Sequence, residues 1–205
     1  MNHHVRRILV SSVLLVCAAA AQAQQKPNII AFGSDSPDRG TTRVGYWNRA
    51  KNHGAGQFAI DHGRPAWKKD YEDTAKFDAM TKGKVWRLGD NFWTTFDTDM
   101  PLTISGKTVP AGSWYLGVER SADGGQWNLV FIDPVKARAG HIDASEIGRA
   151  PIDFKAPLTL EQVTDVKDKV TIDLTYKAPN IQDVTLRIGW GKLQLSAPIK
   201  VPSME

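Results

Sequence analysis

The chain has 205 residues, with 26 Lys and Arg against 22 Asp and Glu and 41% apolar residues, enough for one well-buried domain. The two signs of charge are interspersed throughout, so no concentrated cationic surface is encoded and nucleic acid is excluded as a partner. The one cysteine is Cys17, inside an N-terminal leader, so the remainder carries neither a disulfide framework nor thiol chemistry.

That leader has the three parts of a secretory signal: Arg6 and Arg7, an apolar run from Ile8 to about Ala20, and the small-residue site Ala21-Gln22-Ala23. Residues 1–23 are therefore read as a signal peptide cleaved near Ala23, giving a periplasmic or secreted protein. The apolar run is about a dozen residues where a membrane span needs roughly 20, so the mature chain has no transmembrane segment. Leu14-Leu15-Val16-Cys17 faintly resembles a lipoprotein signal, but Val16 stands where a small residue is expected, so simple export is the reading. Removing the leader takes Arg6 and Arg7 with it, so the mature chain is close to neutral.

Residues 24–40 are rich in Pro, Gly, Ser and Asp and form an irregular lead-in to a single domain over 41–205. Strands are expected at 41–47 and 57–62, with a polar loop over 49–56 between them. The segment KKDYEDTAKFDAM has Tyr71, Ala75 and Met80 at helical spacing and predicts one short helix. A meander follows: strands at 84–88, 92–97, 102–105 and 113–119, separated by Gly89-Asp90-Asn91, Met100-Pro101 and Gly106.

Asp123-Gly124-Gly125 marks a hairpin turn into WNLVFI, apolar on both faces and therefore a central strand covered on both sides. Residues 134–157 read as irregular, with at most one helical turn near 144–148. Strands at 158–163, 170–177, 184–190 and 193–201 complete the set. In the second of these Val170, Ile172, Leu174 and Tyr176 point inward, and Leu193, Leu195, Ala197 and Ile199 repeat the alternation. About ten short strands with regular turns and almost no helix predict an all-β fold, an antiparallel β sandwich or jelly-roll-like double sheet.

Several motifs carry a family resemblance. Gly63-Arg64-Pro65, Gly83 to Gly89 with Asn91 and Thr94, Pro110-Ala111-Gly112 before Trp114-Tyr115-Leu116, and Ile188-Gly189-Trp190-Gly191-Lys192 together resemble the secreted bacterial family DUF2911, over roughly residues 56–201. The family pattern has a Tyr before the Arg-Pro pair and Gly-Ala-Asn-Glu-Ala-Thr after the Trp-Arg. Here His62 stands in the Tyr region, and Phe92 takes the place of the acid. The resemblance implies a secreted β domain and supplies no activity.

His62, Arg64, Trp86, Arg87, Asn91, Trp93 and Thr94 form the candidate ligand-binding set, because two guanidiniums beside an amide and aromatic faces can hold a carboxylate, phosphate or sugar. The plainer reading is that an Arg beside a Trp finishes a sheet edge. Asp61 and His62 are strand neighbours on opposite faces and cannot act as a direct dyad. His53, His62 and His141 match no metal-binding spacing, so surface or hydrogen-bonded histidines are the expectation and no metal or other cofactor is assigned. Asp97 and Asp99 share one strand face, where a calcium site would need further oxygen ligands.

Of the seven tryptophans, Trp47, Trp67 and Trp93 are the candidates for a pocket or exposed patch. No nucleophile elbow, P-loop or dinucleotide fingerprint occurs. The first functional reading is a non-catalytic binding module for a small anionic or carbohydrate ligand. The alternatives are an envelope-associated enzyme with His62 or an Asp as general base beside an Arg-lined site, and a scaffold subunit. Oligomeric state is not encoded in any of these patterns.

Overall fold

The structure, a computed structural model, describes residues 38–163 and 165–203; the signal peptide, its cleavage site, Cys17 and most of the lead-in lie outside the described residues. The strands are β1 (Arg39–Asn48), β2 (His53–Gly63), β3 (Lys84–Arg87), β4 (Thr94–Thr98), β5 (Leu102–Ile104), β6 (Lys107–Val109), β7 (Gly112–Arg120), β8 (Trp127–Ile132), β9 (Phe154–Leu160), β10 (Lys167–Lys177), β11 (Asn180–Gly191) and β12 (Leu193–Lys200). Helices α1 (Thr74–Thr81) and α2 (Pro134–Ala139) and the 3-10 segments Lys69–Glu72 and Ala144–Arg149 interrupt them. The protein is all-β, as its turn spacing and alternation predict.

The strands form a continuous antiparallel strip in the order β1-β2-β4-β7-β8-β9-β12-β11-β10. β9 carries the strip from one half to the other, pairing with β8 over Phe154–Leu158 and with β12 at Thr159 and Leu160. The halves enclose a single apolar cluster: Phe58, Ile60, Phe96, Leu116, Leu129 and Phe131 from one side meet Ile172, Leu186, Ile188 and Leu195 from the other. Burial of these alternate side chains is the main force holding the fold. The strip's two ends also meet, because Leu174 N donates to Thr42 Oγ1 at 3.2 Å and the Tyr46 hydroxyl donates to Ile181 O at 2.9 Å.

β8 is covered on both faces. Leu129 and Phe131 join the central core, while Val130 and Ile132 lie under a second cluster with Ala137, Ile147 and Ala150. That cover comes partly from α2, in a stretch the sequence reading left irregular. The signal was present: Asp133 caps the helix by accepting from Val135 N at 2.7 Å, and Pro134 opens it where a missing N–H costs nothing.

Other departures are local. β2 begins at His53, so the expected loop over 49–56 shrinks to four turn residues. β6 was missed because three residues carry too little alternation; it pairs with β5 across Ser105-Gly106, whose φ values of 45° and 79° are those of a tight hairpin turn. The strand expected at 158–163 begins earlier, at Phe154. Tyr176, predicted to point inward, is 51% exposed, since the β10–β11 register slips at Tyr176/Lys177, beyond the last covered residue, Leu174.

Phe131 is fully buried, stacked on Phe154 at 4.6 Å and edge-on to Phe96 and Trp114. Phe131→Ala is expected to cost about 3–5 kcal/mol of unfolding free energy, whereas Tyr176→Ala should change it by no more than about 0.5 kcal/mol. Urea titrations followed by circular dichroism measure both.

Candidate functional site

The end of β2 leaves the first half of the strip and crosses to the second. Residues 63–67 form a strap: Trp67 N donates to Asp168 O at 2.7 Å, Ala66 bridges Lys169, and the Pro65 carbonyl accepts from Val170 N at 3.0 Å and from Trp190 Nε1 at 3.1 Å. Trp190 is thereby fixed, and Trp67, Tyr71 and Trp86 pack on it with ring centroids 5.2, 5.0 and 5.6 Å away. Gly191 has φ +56°, and a Cβ there would lie 2.0 Å from the Trp67 ring, so both backbone and space require glycine. The Arg-Pro and Trp-Gly motifs, far apart in the chain, meet in this one junction.

Strand alternation divides the candidate residues between the two faces of the first half. His62 follows Phe58 and Ile60 on the inner face and is 3% exposed. Neither ring nitrogen has a hydrogen-bond partner, and the ring sits so close to β1 that a Cβ on Gly40 would be 2.8 Å from its Cε1. The expectation of a surface or hydrogen-bonded histidine is corrected for His62: strand periodicity puts it in the core, at the strap's root. Burial pushes its pKa down from the ordinary 6.5, with Arg64 and Arg39 acting in the same direction and Asp61 and Asp173 opposing. His53 is exposed, with Nδ1 2.7 Å from the Gly54 carbonyl oxygen.

Arg64 lies at the mouth between the halves, where Nη1 donates to Asp38 Oδ1 at 3.2 Å. Asp38 also accepts from Lys169 Nζ at 2.7 Å; that bond first, then the Arg64 charge, holds its carboxyl below the usual range. Trp86 points inward, onto Trp190, with a buried Nε1 that has no partner.

Arg87 belongs to the outer face. Its neighbour two residues back, Val85, packs in the second cluster, and β3 pairs with β7 so that Arg87 stands opposite Gly117. Gly117 has a packing role, because a Cβ there would be 2.6 Å from Ile147 Cδ1; its absence lets the 3-10 segment Ala144–Arg149 settle beside Arg87. The expectation that Arg64 and Arg87 share one recess is therefore not met, since one lies at the mouth beside Asp38 and the other on the outer face.

β3 and β4 lie end to end along β7, and residues 88–93 bulge out between them. Thr94 is buried and its hydroxyl donates to the Leu88 carbonyl, closing the neck of the bulge. Asn91 is exposed at φ +59°, and its carbonyl accepts from Arg87 Nη1 at 3.2 Å. Trp93 stacks on Tyr115 at 4.5 Å with rings 2° from parallel, and its carbonyl accepts from Arg39 Nη2 at 3.3 Å. Arg39 pairs with Asp61, which confirms that Asp61 and His62 face opposite ways.

A groove of about 340 Å³ between β3 and the 3-10 segment Ala144–Arg149 is lined by Met80, Lys84, Trp86, Arg87, Ser145 and Gly148, with Lys84 and Trp86 alternating to the opposite side of β3 from Arg87. Among the described residues neither Lys84 nor Arg87 has a carboxylate within ion-pair distance. Lys84 Nζ donates to Ala79 O at 2.6 Å, and Arg87 uses one guanidinium nitrogen on Asn91. Asp143 is close enough for the Arg87 charge to help lower its pKa, after the larger effects of the Ser145 backbone and hydroxyl bonds. Lys84 was missed in the sequence because it opens a four-residue strand with no pattern of its own. A wider opening of about 760 Å³, on the β10–β11 hairpin between Thr175 and Arg187, contains none of the candidate residues. Among the described residues no group of three or more His, Cys, Asp and Glu is placed to hold a metal ion, and no helix is long and apolar enough to cross a membrane.

The family model described as protein of unknown function (DUF2911) matches residues 48–199, most of the chain, so the chain belongs to that family. Comparison with curated proteins gives no match, and comparison with solved structures gives none.

The buried His62 makes stability depend on pH in a defined direction. Above 6.5 both folded and unfolded chains hold a neutral imidazole; below it the unfolded chain takes up a proton that the folded chain resists, so stability falls until the pH reaches the lowered folded value. The melting temperature should therefore decline between pH 7 and pH 5, above the range where the paired carboxylates titrate. His62→Gln should flatten that decline, as read by thermal denaturation across the pH series.

Proposed function

With membership of DUF2911 as premise, we propose that this protein is an exported, non-catalytic binding module, and that the groove between β3 and the 3-10 segment Ala144–Arg149 holds a small anionic or carbohydrate ligand. The observation that carries the reading is the pair Lys84 and Arg87, which line one groove with no carboxylate paired to either among the described residues. Three other arginines spend their charge on internal carboxylates: Arg39 on Asp61, Arg64 on Asp38 and Arg120 on Asp78. A guanidinium has five N–H donors and Arg87 spends only part of that capacity on Asn91, leaving donors for a carboxylate or phosphate.

Trp86 lines the groove from β3 while its ring turns away onto Trp190, and the opposite wall comes from Ser145 and Gly148. Gly148 and Ser145 come from a segment capped by Asp143, whose side chain accepts from Ser145 N while Glu146 reaches back to the cap, which holds that wall in place. The catalytic alternative, with His62 or an Asp as base, draws less support: His62 is sealed on the inner face while Arg87 stands on the outer one, and Asp143, which the Arg87 charge reaches, is held ionised by its bonds to Ser145.

Thermal-shift and calorimetric titrations with inorganic phosphate, a sugar phosphate, a uronic acid and a neutral hexose test the proposal. At least one member of the panel is expected to stabilise the protein. Arg87→Ala and Lys84→Ala, with unchanged circular dichroism, should each weaken that ligand by about tenfold or more, the worth of a charge-assisted hydrogen bond. Equal binding by wild type and both variants, or no response to any panel member, rejects it.

A further inference from the structure

A second surface, on the same outer face but at the far end of β1 and β2, has the make-up of a sugar platform. Trp47 is 61% exposed on β1, the most exposed aromatic side chain among the large apolar residues at the surface of the described chain. It stands opposite Gly54 on β2, next to a register slip between Tyr46 and Trp47 that turns the end of the hairpin. A cavity of about 450 Å³ runs beside it, lined also by Gly45, Gly54, Gly56, Gln57 and Asp99.

Two features separate this place from a tryptophan left over at a strand edge. First, two of its glycines answer to no internal demand. A Cβ on Gly54 would meet nothing within 4 Å, and one on Gly45 would meet only Gln57 Cβ at 3.9 Å; neither residue has a positive φ. Glycine in a strand gives up conformational entropy and packing. What these two provide is clearance, because directly opposed residues of an antiparallel pair project to the same face, so a side chain at Gly54 would stand beside the indole. Second, the polar groups lining the cavity are unspent. Among the described residues neither the Gln57 amide nor the Asp99 carboxylate has a hydrogen-bond or ion-pair partner, although Asp97, two residues away, is engaged by the Ser113 hydroxyl.

We propose that Trp47, Gln57 and Asp99 form a binding site for a neutral pyranose residue of a polysaccharide. An exposed indole offers a flat, weakly negative face that matches the C–H-bearing face of a pyranose ring. The amide both donates and accepts, and the carboxylate accepts from two neighbouring hydroxyls, which fixes orientation in the way small-molecule sites use a few convergent polar groups. Asp99 sets the charge class: a carboxylate lining the cavity repels uronates and phosphorylated sugars and leaves neutral glycans favoured. This site stands apart from the groove at Arg87 and its failure would leave that reading untouched.

The test uses the mature protein in native affinity gels cast with hydroxyethyl cellulose, xylan, β-1,3-glucan, dextran or polygalacturonate, followed by calorimetry with the matching oligosaccharide. At least one neutral polysaccharide is expected to retard the protein and quench its tryptophan fluorescence. Trp47→Ala should weaken binding tenfold or more and Trp47→Tyr should recover part of it, while Arg87→Ala leaves it unchanged. Gly54→Leu is the sharper probe: with open space around the new side chain it should fold at least as stably as wild type and still lose binding. Retention unaffected by Trp47→Ala or Gly54→Leu, selective retention by polygalacturonate, no retention by any neutral polysaccharide, or concentration-dependent self-association abolished by Trp47→Ala would each overturn the proposal.

Discussion

The Pro65 carbonyl accepts two hydrogen bonds from the opposite half of the strip, one from the Val170 backbone and one from the Trp190 indole. Proline suits the position, since its fixed φ stiffens the crossing and the N–H it lacks has no ladder partner to supply. With that oxygen in place, Trp190 has one orientation, and Trp67, Tyr71 and Trp86 pack around it. Without it, the Trp190 indole and the Val170 amide would each keep a buried donor unpaired, and the strap would hold β10 only through Trp67 and Ala66. The junction reaches β3 through the Trp86 ring, which packs on Trp190.

The two faces of the first half take different work. The inner face carries the large apolar side chains, together with His62 and Trp86, whose polar atoms are buried without partners. The outer face carries Arg87, Trp93, Asp61, Gln57 and Trp47, and both proposed ligand surfaces lie there, at opposite ends. Glycines make each possible by different means: Gly117 admits Ile147 and so shapes a wall, whereas Gly54 leaves ground open. Between them the stacked pair Trp93–Tyr115 and the Arg39–Asp61 ion pair occupy the centre of the face with internal contacts.

Much of the fold was legible because its signals were local. WNLVFI could only be a strand covered twice, and β10 and β12 announced their buried faces by strict alternation, with Tyr176 the exception where the hairpin outruns its cover. The helix α2 was readable from Asp133-Pro134 and was overlooked because six residues show no periodicity. The site was harder. All seven candidate residues are placed, yet which face each takes depends on β3 and β4 lying end to end along β7, with a bulge between them that no sequence spacing reveals. The meeting of Trp67 with Trp190 and Gly191 is a product of topology, since the two segments are separated by most of the chain.

The seam between β1 and β10 differs in kind from every other strand boundary in the strip. A side-chain hydroxyl, Thr42 Oγ1, receives the Leu174 amide of β10, and a phenol, Tyr46, reaches past β10 to the Ile181 carbonyl at the start of β11; the Tyr46 pKa is pushed up to about 12, chiefly by burial and then by the neighbouring Tyr176. The belt is thus buckled by two clasps where a sewn ring would have a full ladder. Parting along that line would break side-chain bonds alone and leave every backbone rung of the strip intact.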